Sequence, residues 1–307
     1  MTSVPESTRR TFLVQLAGLG LALSRARPSN AQEAIPTRAI PTTGETLPVV
    51  GLGSTKPVQQ IPTSGTDPIT SVLHTLVARG GRVVDTAPRA EEIDDAFGQV
   101  LNQAAFADRL FVATKINATG REAGLAQMRQ TQRLFRRRTF DLVQIESLTD
   151  VETQWTSLRQ WKETGEARYI GVTVSSDSLH ERLEEFIRRG TPDFVHLNYS
   201  VMETAAEERL LPLARDRGIA VLTNRPFMNG EYFRRVSDRT LPAWAEEFDC
   251  SSWAQFSLKY ILADPAVTCA LTETTSPQHM AENMQAAIGR LPDDAMRRRM
   301  RQAIRDI

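Results

Sequence analysis

The chain has 307 residues, of which 41% are hydrophobic and 24% charged, with 37 basic and 37 acidic side chains. This composition supports a large folded core and excludes a disordered, fibrous or strongly basic nucleic-acid-binding chain. Two cysteines are too few for a disulfide framework, so Cys250 and Cys269 are expected to be separate packed thiols.

Residues 1–31 read as a cleaved signal peptide: Arg9-Arg10, an uncharged run from Thr11 to Ser24, and the small-x-small site Ser29-Asn30-Ala31. Thr8-Arg-Arg-Thr-Phe-Leu-Val14 resembles a twin-arginine export motif, which predicts a periplasmic or secreted protein. Cleavage would remove four arginines and one glutamate, leaving a net charge of −3. The apolar run is too short for a stable membrane anchor, and nothing in the charge pattern suggests a nucleic-acid partner. Oligomeric state is not encoded in any feature of the sequence. Residues 32–46 are polar and proline-containing and read as a linker into the fold.

From residue 47 to 307 the pattern is regular. Strand-like runs occur at 49–53, 82–85, 110–116, 141–147, 168–174, 193–199, 219–224 and 267–272. Amphipathic helical patterns alternate with them at 69–78, 91–103, 124–135, 151–164, 178–189, 205–217, 251–262 and 277–288. Eight such alternations predict a single-domain α/β protein, a (β/α)8 TIM barrel, in preference to an open doubly wound sheet with fewer units. A last helix over 293–304 is expected to pack outside the barrel. Gly80-Gly81, Gly165, Gly190 and Gly218 precede strands, where left-handed helix caps belong. The longest irregular connection, 226–242, follows the seventh strand and should lie over the barrel mouth.

Active sites of such barrels form at the carboxyl ends of the strands. Reading those ends gives Asp85, Lys115, Glu146, Thr173, His196, Asn198, Asn224 and Glu273. Asp85, Lys115 and Glu146 end the second, third and fourth strands, so they are expected to converge as a charged cluster. That cluster is either catalytic or a structural ion-pair network. Tyr199 is a candidate acid or a packed residue; its phase, opposite to Asn198, favours packing. The four histidines, His74, His180, His196 and His279, have no metal-ligand spacing, so no metal cofactor is expected.

Nine runs in order resemble the aldo-keto reductases. They include Leu47-Pro-Val-Val-Gly-Leu-Gly53, Val84-Asp-Thr-Ala87, Phe111-Val-Ala-Thr-Lys115, Asn198-Tyr-Ser200, Arg225-Pro-Phe227 and Ser276-Pro-Gln-His-Met-Ala-Glu-Asn283. The resemblance implies a barrel that reduces a small carbonyl substrate with NADPH or NADH. It assigns Asp85 and Lys115 to the family's catalytic Asp and Lys. The family's Tyr-Gly pair has no counterpart, because Pro88-Arg-Ala90 leads directly to Glu91, and the family His position carries Glu146. Thr173, His196 and Asn224 fall where the family holds nicotinamide, and Thr274, Glu282 and Asn283 where it holds adenosine. Glu273 falls where the family has a cation for the 2′-phosphate, which favours NADH or weak NADPH binding. The two readings that follow are an exported oxidoreductase with altered acid chemistry and a non-catalytic barrel serving as a periplasmic binding or partner protein. A third, Lys115 as an amine nucleophile or base, is disfavoured by the two carboxylates expected beside it.

Overall fold

The computed structural model describes residues 34–307. The segment expected to be a signal peptide, with its expected cleavage site, lies outside the described residues. The segment read as a linker is not one beyond Pro36: Thr37–Ala39 (β1) pairs antiparallel with Thr46–Pro48 (β2), and Ile40 and Leu47 are fully buried. The hairpin plugs the amino-terminal end of the barrel. Glu45 accepts hydrogen bonds from Arg82 (2.8 Å), Arg168 (2.6 Å) and the Tyr169 hydroxyl (2.8 Å), so a carboxylate on the hairpin is held by three donors from the strands above it. A short polar run looks like a linker because two buried apolar residues are too few to make a periodic signal.

The barrel strands are β3 (Val50–Gly53), β4 (Val83–Asp85), β5 (Phe111–Ile116), β6 (Phe140–Glu146), β7 (Ala167–Thr173), β8 (Phe194–Asn198), β9 (Ala220–Asn224) and β10 (Val267–Thr272). Each pairs in parallel with its sequence neighbour, and β10 closes on β3, giving the expected (β/α)8 barrel. Every strand is hydrophobic on both faces because one packs inside the barrel and the other against helices. Val84, Val112, Val143, Ile170, Val195 and Val221 belong to the helix-facing core. Val83, Phe111, Leu142, Tyr169, Phe194 and Leu222 form a second, interior cluster. The rings of Phe111, Tyr169 and Phe194 lie 5.5–6.0 Å apart there. Gly171 lets β7 lie close against β8, since a Cβ on it would sit 2.4 Å from the Phe194 carbonyl oxygen.

Helix placement follows the sequence pattern with local departures. The 205–217 pattern divides into a 3-10 turn, Ala205–Glu207, and a helix, Leu210–Asp216. The connection after β9 is less irregular than expected, with a helix at Glu231–Val236. Gly80, Gly165 and Gly218 adopt positive φ as helix-terminating glycines do, but Gly190 has φ −91° and Gly81 is not left-handed. Gly81 is instead a packing requirement, because a Cβ would meet the Leu76 Cδ1 at 2.3 Å. Cys250 and Cys269 are both buried and free.

The last helix, Asp294–Arg305, packs outside the barrel as expected. Its Arg297 and Arg301 bond Glu207 at 2.7 and 2.6 Å, and Arg297 also donates to the Tyr199 hydroxyl. Tyr199 therefore belongs to a buried outer network, and burial pushes its hydroxyl pKa well up. Its phase decides this: Tyr199 follows Asn198 on the opposite face of the strand.

One glycine gives a test in which packing opposes propensity. In an exposed helix interior, Gly→Ala gains about 1 kcal/mol. Gly98 sits in the helix Glu91–Leu101, where a Cβ would lie 2.2 Å from the Leu134 carbonyl oxygen and 2.8 Å from the Phe135 Cα. Gly98→Ala is therefore expected to lose about 2 kcal/mol through forced separation of two helices. Urea denaturation of both proteins checks the sign.

Candidate active site

Strand period places the site. Counting in twos from the interior residues Val83, Ala113, Leu142, Phe194 and Leu222 leads to Asp85, Lys115, Glu146, His196 and Asn224. All five, with Thr173 and Glu273, line one cavity of about 360 Å³ at the carboxyl ends of the strands. The barrel interior is thus apolar in its lower layers and polar in its top layer. Asn198, in the same phase, is too high for the cavity: its amide donates to Asp177 and its oxygen bonds His180.

Asp85 and Lys115 are each only 7% exposed and form a direct ion pair, Nζ to Oδ2, at 2.5 Å. Lys115 Nζ also donates to the Thr86 carbonyl oxygen at 2.8 Å. Gln144, on β6, donates to the other Asp85 oxygen at 3.0 Å. Two of the three ammonium N–H groups are therefore occupied, and the third is left for the cavity that Lys115 lines. The expected triad resolves into a pair and a separate carboxylate. Glu146 is half-buried and bonds not Lys115 but the Asn117 amide, Nδ2 to Oε2 at 3.0 Å. Of the two carboxylates expected beside Lys115, only Asp85 bonds it.

His196 is 3% exposed, and neither ring nitrogen has a hydrogen-bond partner. Its Nδ1 lies 4.0 Å from Asp85 Oδ1. Burial pushes its pKa down to about 4; Asp85 opposes this shift and Lys115 adds to it. The ring is therefore neutral at pH 7, with one donor and one acceptor facing an unpaired environment. Asn224 contributes a second orphan: its Nδ2 donates to the Val174 carbonyl at 2.9 Å, while its buried Oδ1 is unpartnered.

Thr274, Glu282 and Asn283 lie elsewhere. They line a second cavity of about 280 Å³ together with Trp253 and His279, beside the helix Pro277–Gln285. Phe227, Phe233 and Glu273 line both cavities. The predicted residues thus occupy two adjoining chambers, and the connection after β9 supplies the shared wall. Glu273 is held in place there by the Lys56 backbone N–H at 2.8 Å.

Sequence reasoning passed over Arg89, Asn117 and Gln144. Arg89 donates to Thr86 Oγ1 (2.8 Å) and the Ala87 carbonyl (2.7 Å), and its own N–H bonds Asp94 at 2.8 Å. It fixes the turn whose Thr86 carbonyl holds Lys115. Burial lowers its pKa, opposed by Asp94, Asp85, Glu273 and Glu146. Gln144 was legible as the interior residue two before Glu146; Asn117 and Arg89 act from loops, where period gives no direction. No tyrosine lines the first cavity among the described residues.

The aldo/keto reductase family model matches residues 50–302, and the chain belongs to that family. An NADH-specific methylglyoxal reductase of Escherichia coli (strain K12) is 26% identical over 154 residues, covering 42% of this chain and 46% of that protein. The chain spans about half the length of the curated relatives it matches. Among solved structures, the holo form of an aldo-keto reductase from Bacillus halodurans aligns with a TM-score of 0.68 at 18% identity, over 88% of this chain and 96% of that one. An aldo/keto reductase from Klebsiella pneumoniae in complex with NADP and acetate aligns with a TM-score of 0.64 at 17% identity, over 85% and 93%. These likenesses establish the barrel.

The depressed His196 pKa has a consequence for stability. Between pH 6.5 and 4 the unfolded chain binds a proton that the folded chain refuses, so this contribution is complete above about pH 6.5 and lost as pH falls towards 4. At 1.36 kcal/mol per unit it amounts to about 3 kcal/mol. In urea titrations at pH 7 and pH 4.5, His196→Gln is expected to lose less stability on acidification than the parent. Equal losses would contradict a neutral buried imidazole.

Proposed function

We propose that this member of the aldo/keto reductase family is an exported, nicotinamide-linked oxidoreductase that reduces a small carbonyl substrate with Lys115 in place of a tyrosine acid. The observation that carries this reading is the ammonium of Lys115, held by Asp85 and Thr86 with one N–H left over in a cavity lined by no tyrosine among the described residues. The two-chamber shape supports a dinucleotide. His196 and Asn224 bring buried polar atoms without protein partners to the chamber beside Lys115, as an amide ligand requires, and Thr173 lines the same wall. Thr274, Glu282 and Asn283 would hold the other nucleoside in the second chamber.

A bound nicotinamide would supply the hydride. Lys115 would donate its free N–H to the carbonyl oxygen, where negative charge develops, and pass the proton on to the alkoxide. Asp85, braced by Gln144, keeps the ammonium charged and aimed. Glu146, steered by Asn117, would orient the remainder of the substrate. Phe227 and Phe233 provide the apolar wall that limits water access.

Charge favours NADH. Glu273 and Glu282 line the second chamber, and the strand-end carboxylate of Glu273 is fixed by a backbone N–H rather than neutralised by a cation. A 2′-phosphate would add about two negative charges beside them. The relative named as NADH-specific agrees with this preference. The twin-arginine resemblance of residues 8–14 supports export of a folded protein with its cofactor in place.

Trp253 lines the second chamber, so nucleotide binding should change intrinsic fluorescence. NADH is expected to bind at least about 10-fold more tightly than NADPH, a difference of ~1.4 kcal/mol. Glu273→Lys should narrow or reverse that ratio. Lys115→Met should lower kcat by about 100-fold or more while nucleotide binding persists. Absence of any fluorescence change with either nucleotide up to about 1 mM would instead favour a non-catalytic barrel.

A further inference from the structure

The chamber holds the parts for a second reaction that needs no nucleotide. Glu146 has one carboxylate oxygen fixed by Asn117, which is itself fixed by Gln127: Nε2 donates to the Asn117 Oδ1 at 2.7 Å, and Oε1 accepts the Asn117 and Ala118 N–H groups. The other oxygen takes no hydrogen bond among the described residues and belongs to a side chain that lines the cavity. The backbone immediately after it is strained: Ser147, Leu148 and Asp150 all adopt left-handed φ of 54°, 56° and 45°. Each such residue costs about 1 kcal/mol or more and persists only where the surroundings impose it. Here they do, because Asp150 accepts the Gly120 N–H at 2.7 Å and Gln154 donates to the Ala118 and Gly120 carbonyls, stitching this turn to the loop that carries Asn117. The strain therefore serves to aim one carboxylate.

Across the same cavity stand a charged ammonium with a free N–H and a buried imidazole with no partner on either nitrogen. A carboxylate base, a cationic oxygen clamp and a neutral imidazole are what proton abstraction beside a carbonyl requires. We propose that the cavity enolises small α-hydroxy carbonyl compounds and interconverts their aldose and ketose forms, with Glu146 as base, Lys115 as oxygen clamp and His196 as proton shuttle. The inference depends on the cavity alone and not on the reductase reading.

The reaction balances without an oxidant or reductant. Glu146 removes the proton from the hydroxyl-bearing carbon, and the C–H electron pair becomes the carbon–carbon double bond. The carbonyl π pair moves onto oxygen, where Lys115 Nζ holds the charge. The shuttle then moves the proton between the two enediolate oxygens at a single ring nitrogen: its N–H gives a proton to one oxygen as the same nitrogen takes the proton of the other, so the ring ends in its starting tautomer. Glu146 returns its proton to the former carbonyl carbon. Burial, which depresses the His196 pKa to about 4, keeps the shuttle neutral through this cycle.

The test uses the purified full chain with a chelator and no nucleotide, incubated with dihydroxyacetone or D-glyceraldehyde in D2O and followed by proton NMR. Deuterium should enter the substrate C–H positions at least about 100-fold faster than in buffer, with the isomer appearing alongside. Glu146→Gln should return exchange to the buffer rate, and Glu146→Asp should restore a part of it, with circular dichroism confirming that both are folded. Exchange at the buffer rate in the unmodified chain would overturn the proposal, whatever the fold of the variants. So would exchange that persists in folded Glu146→Gln. Because nucleotide titration tests the reductase reading separately, failure of either is distinguishable from failure of the other.

Discussion

The buried ion pair between Asp85 and Lys115 is the interaction on which the rest of the site depends. Two charges taken out of water cost several kcal/mol each, and removing one partner of such a pair costs about 3–5 kcal/mol because the other is left stranded. The barrel meets that cost by geometry. β4 and β5 are adjacent, with Asp85 opposite Ala113, so Lys115 stands two residues further along on the same interior face and its side chain reaches the Asp85 carboxylate. Gln144 from the next strand holds the free carboxylate oxygen, and the Thr86 carbonyl takes a second ammonium proton. Arg89 then holds the turn that presents Thr86. Four residues, Asp85, Gln144, Thr86 and Arg89, one per supporting role, hold the lysine with a donor to spare.

The same pair explains the state of its neighbour. A histidine 4.0 Å from a carboxylate would ordinarily be drawn towards the charged form. Asp85, however, is already matched by Lys115, and the imidazole is almost wholly buried, so desolvation wins and the ring stays neutral. A positive lysine beside a neutral histidine is a division of labour set by environment, with a fixed charge for oxygen and an uncharged group for proton relay.

Much of this is legible in the sequence, for one reason: strand period is two and a barrel has a single interior. Once eight strands were recognised, the end-of-strand residues Asp85, Lys115, Glu146, Thr173, His196 and Asn224 followed by counting, and all of them line the cavity. Counting also separated Tyr199 from them. It could not separate Asn198, which has the right phase but lies a step too high, nor resolve the division of the site into two chambers, which depends on where the connection after β9 lays Phe227 and Phe233. Loop residues such as Arg89 and Asn117 were illegible because their side-chain directions come from tertiary contacts rather than from a repeat. The hairpin before β3 is hidden for a related reason: it holds the barrel through only two buried apolar residues, Ile40 and Leu47, and a hydrogen-bonded carboxylate, Glu45, which leave no periodic pattern to read.

The placement of strain sharpens the functional reading further. Arg225, Met228 and Asn229, after β9, and Ser147, Leu148 and Asp150, after β6, are six of the eight non-glycine residues with positive φ among the described residues. Both turns border the first cavity, through Ser147 on one side and Arg225 and Asn229 on the other. Outliers distributed by chance around eight connections would not gather at two loops of one chamber. The surroundings impose these conformations: Leu148 is buried in the core, Asp150 accepts the Gly120 N–H at 2.7 Å, and Arg225 pairs with Glu203 at 3.1 Å. The strained turns are thus tied both to the core and to the wall of the first cavity, where Ser147, Arg225 and Asn229 stand beside the loop that holds Glu146.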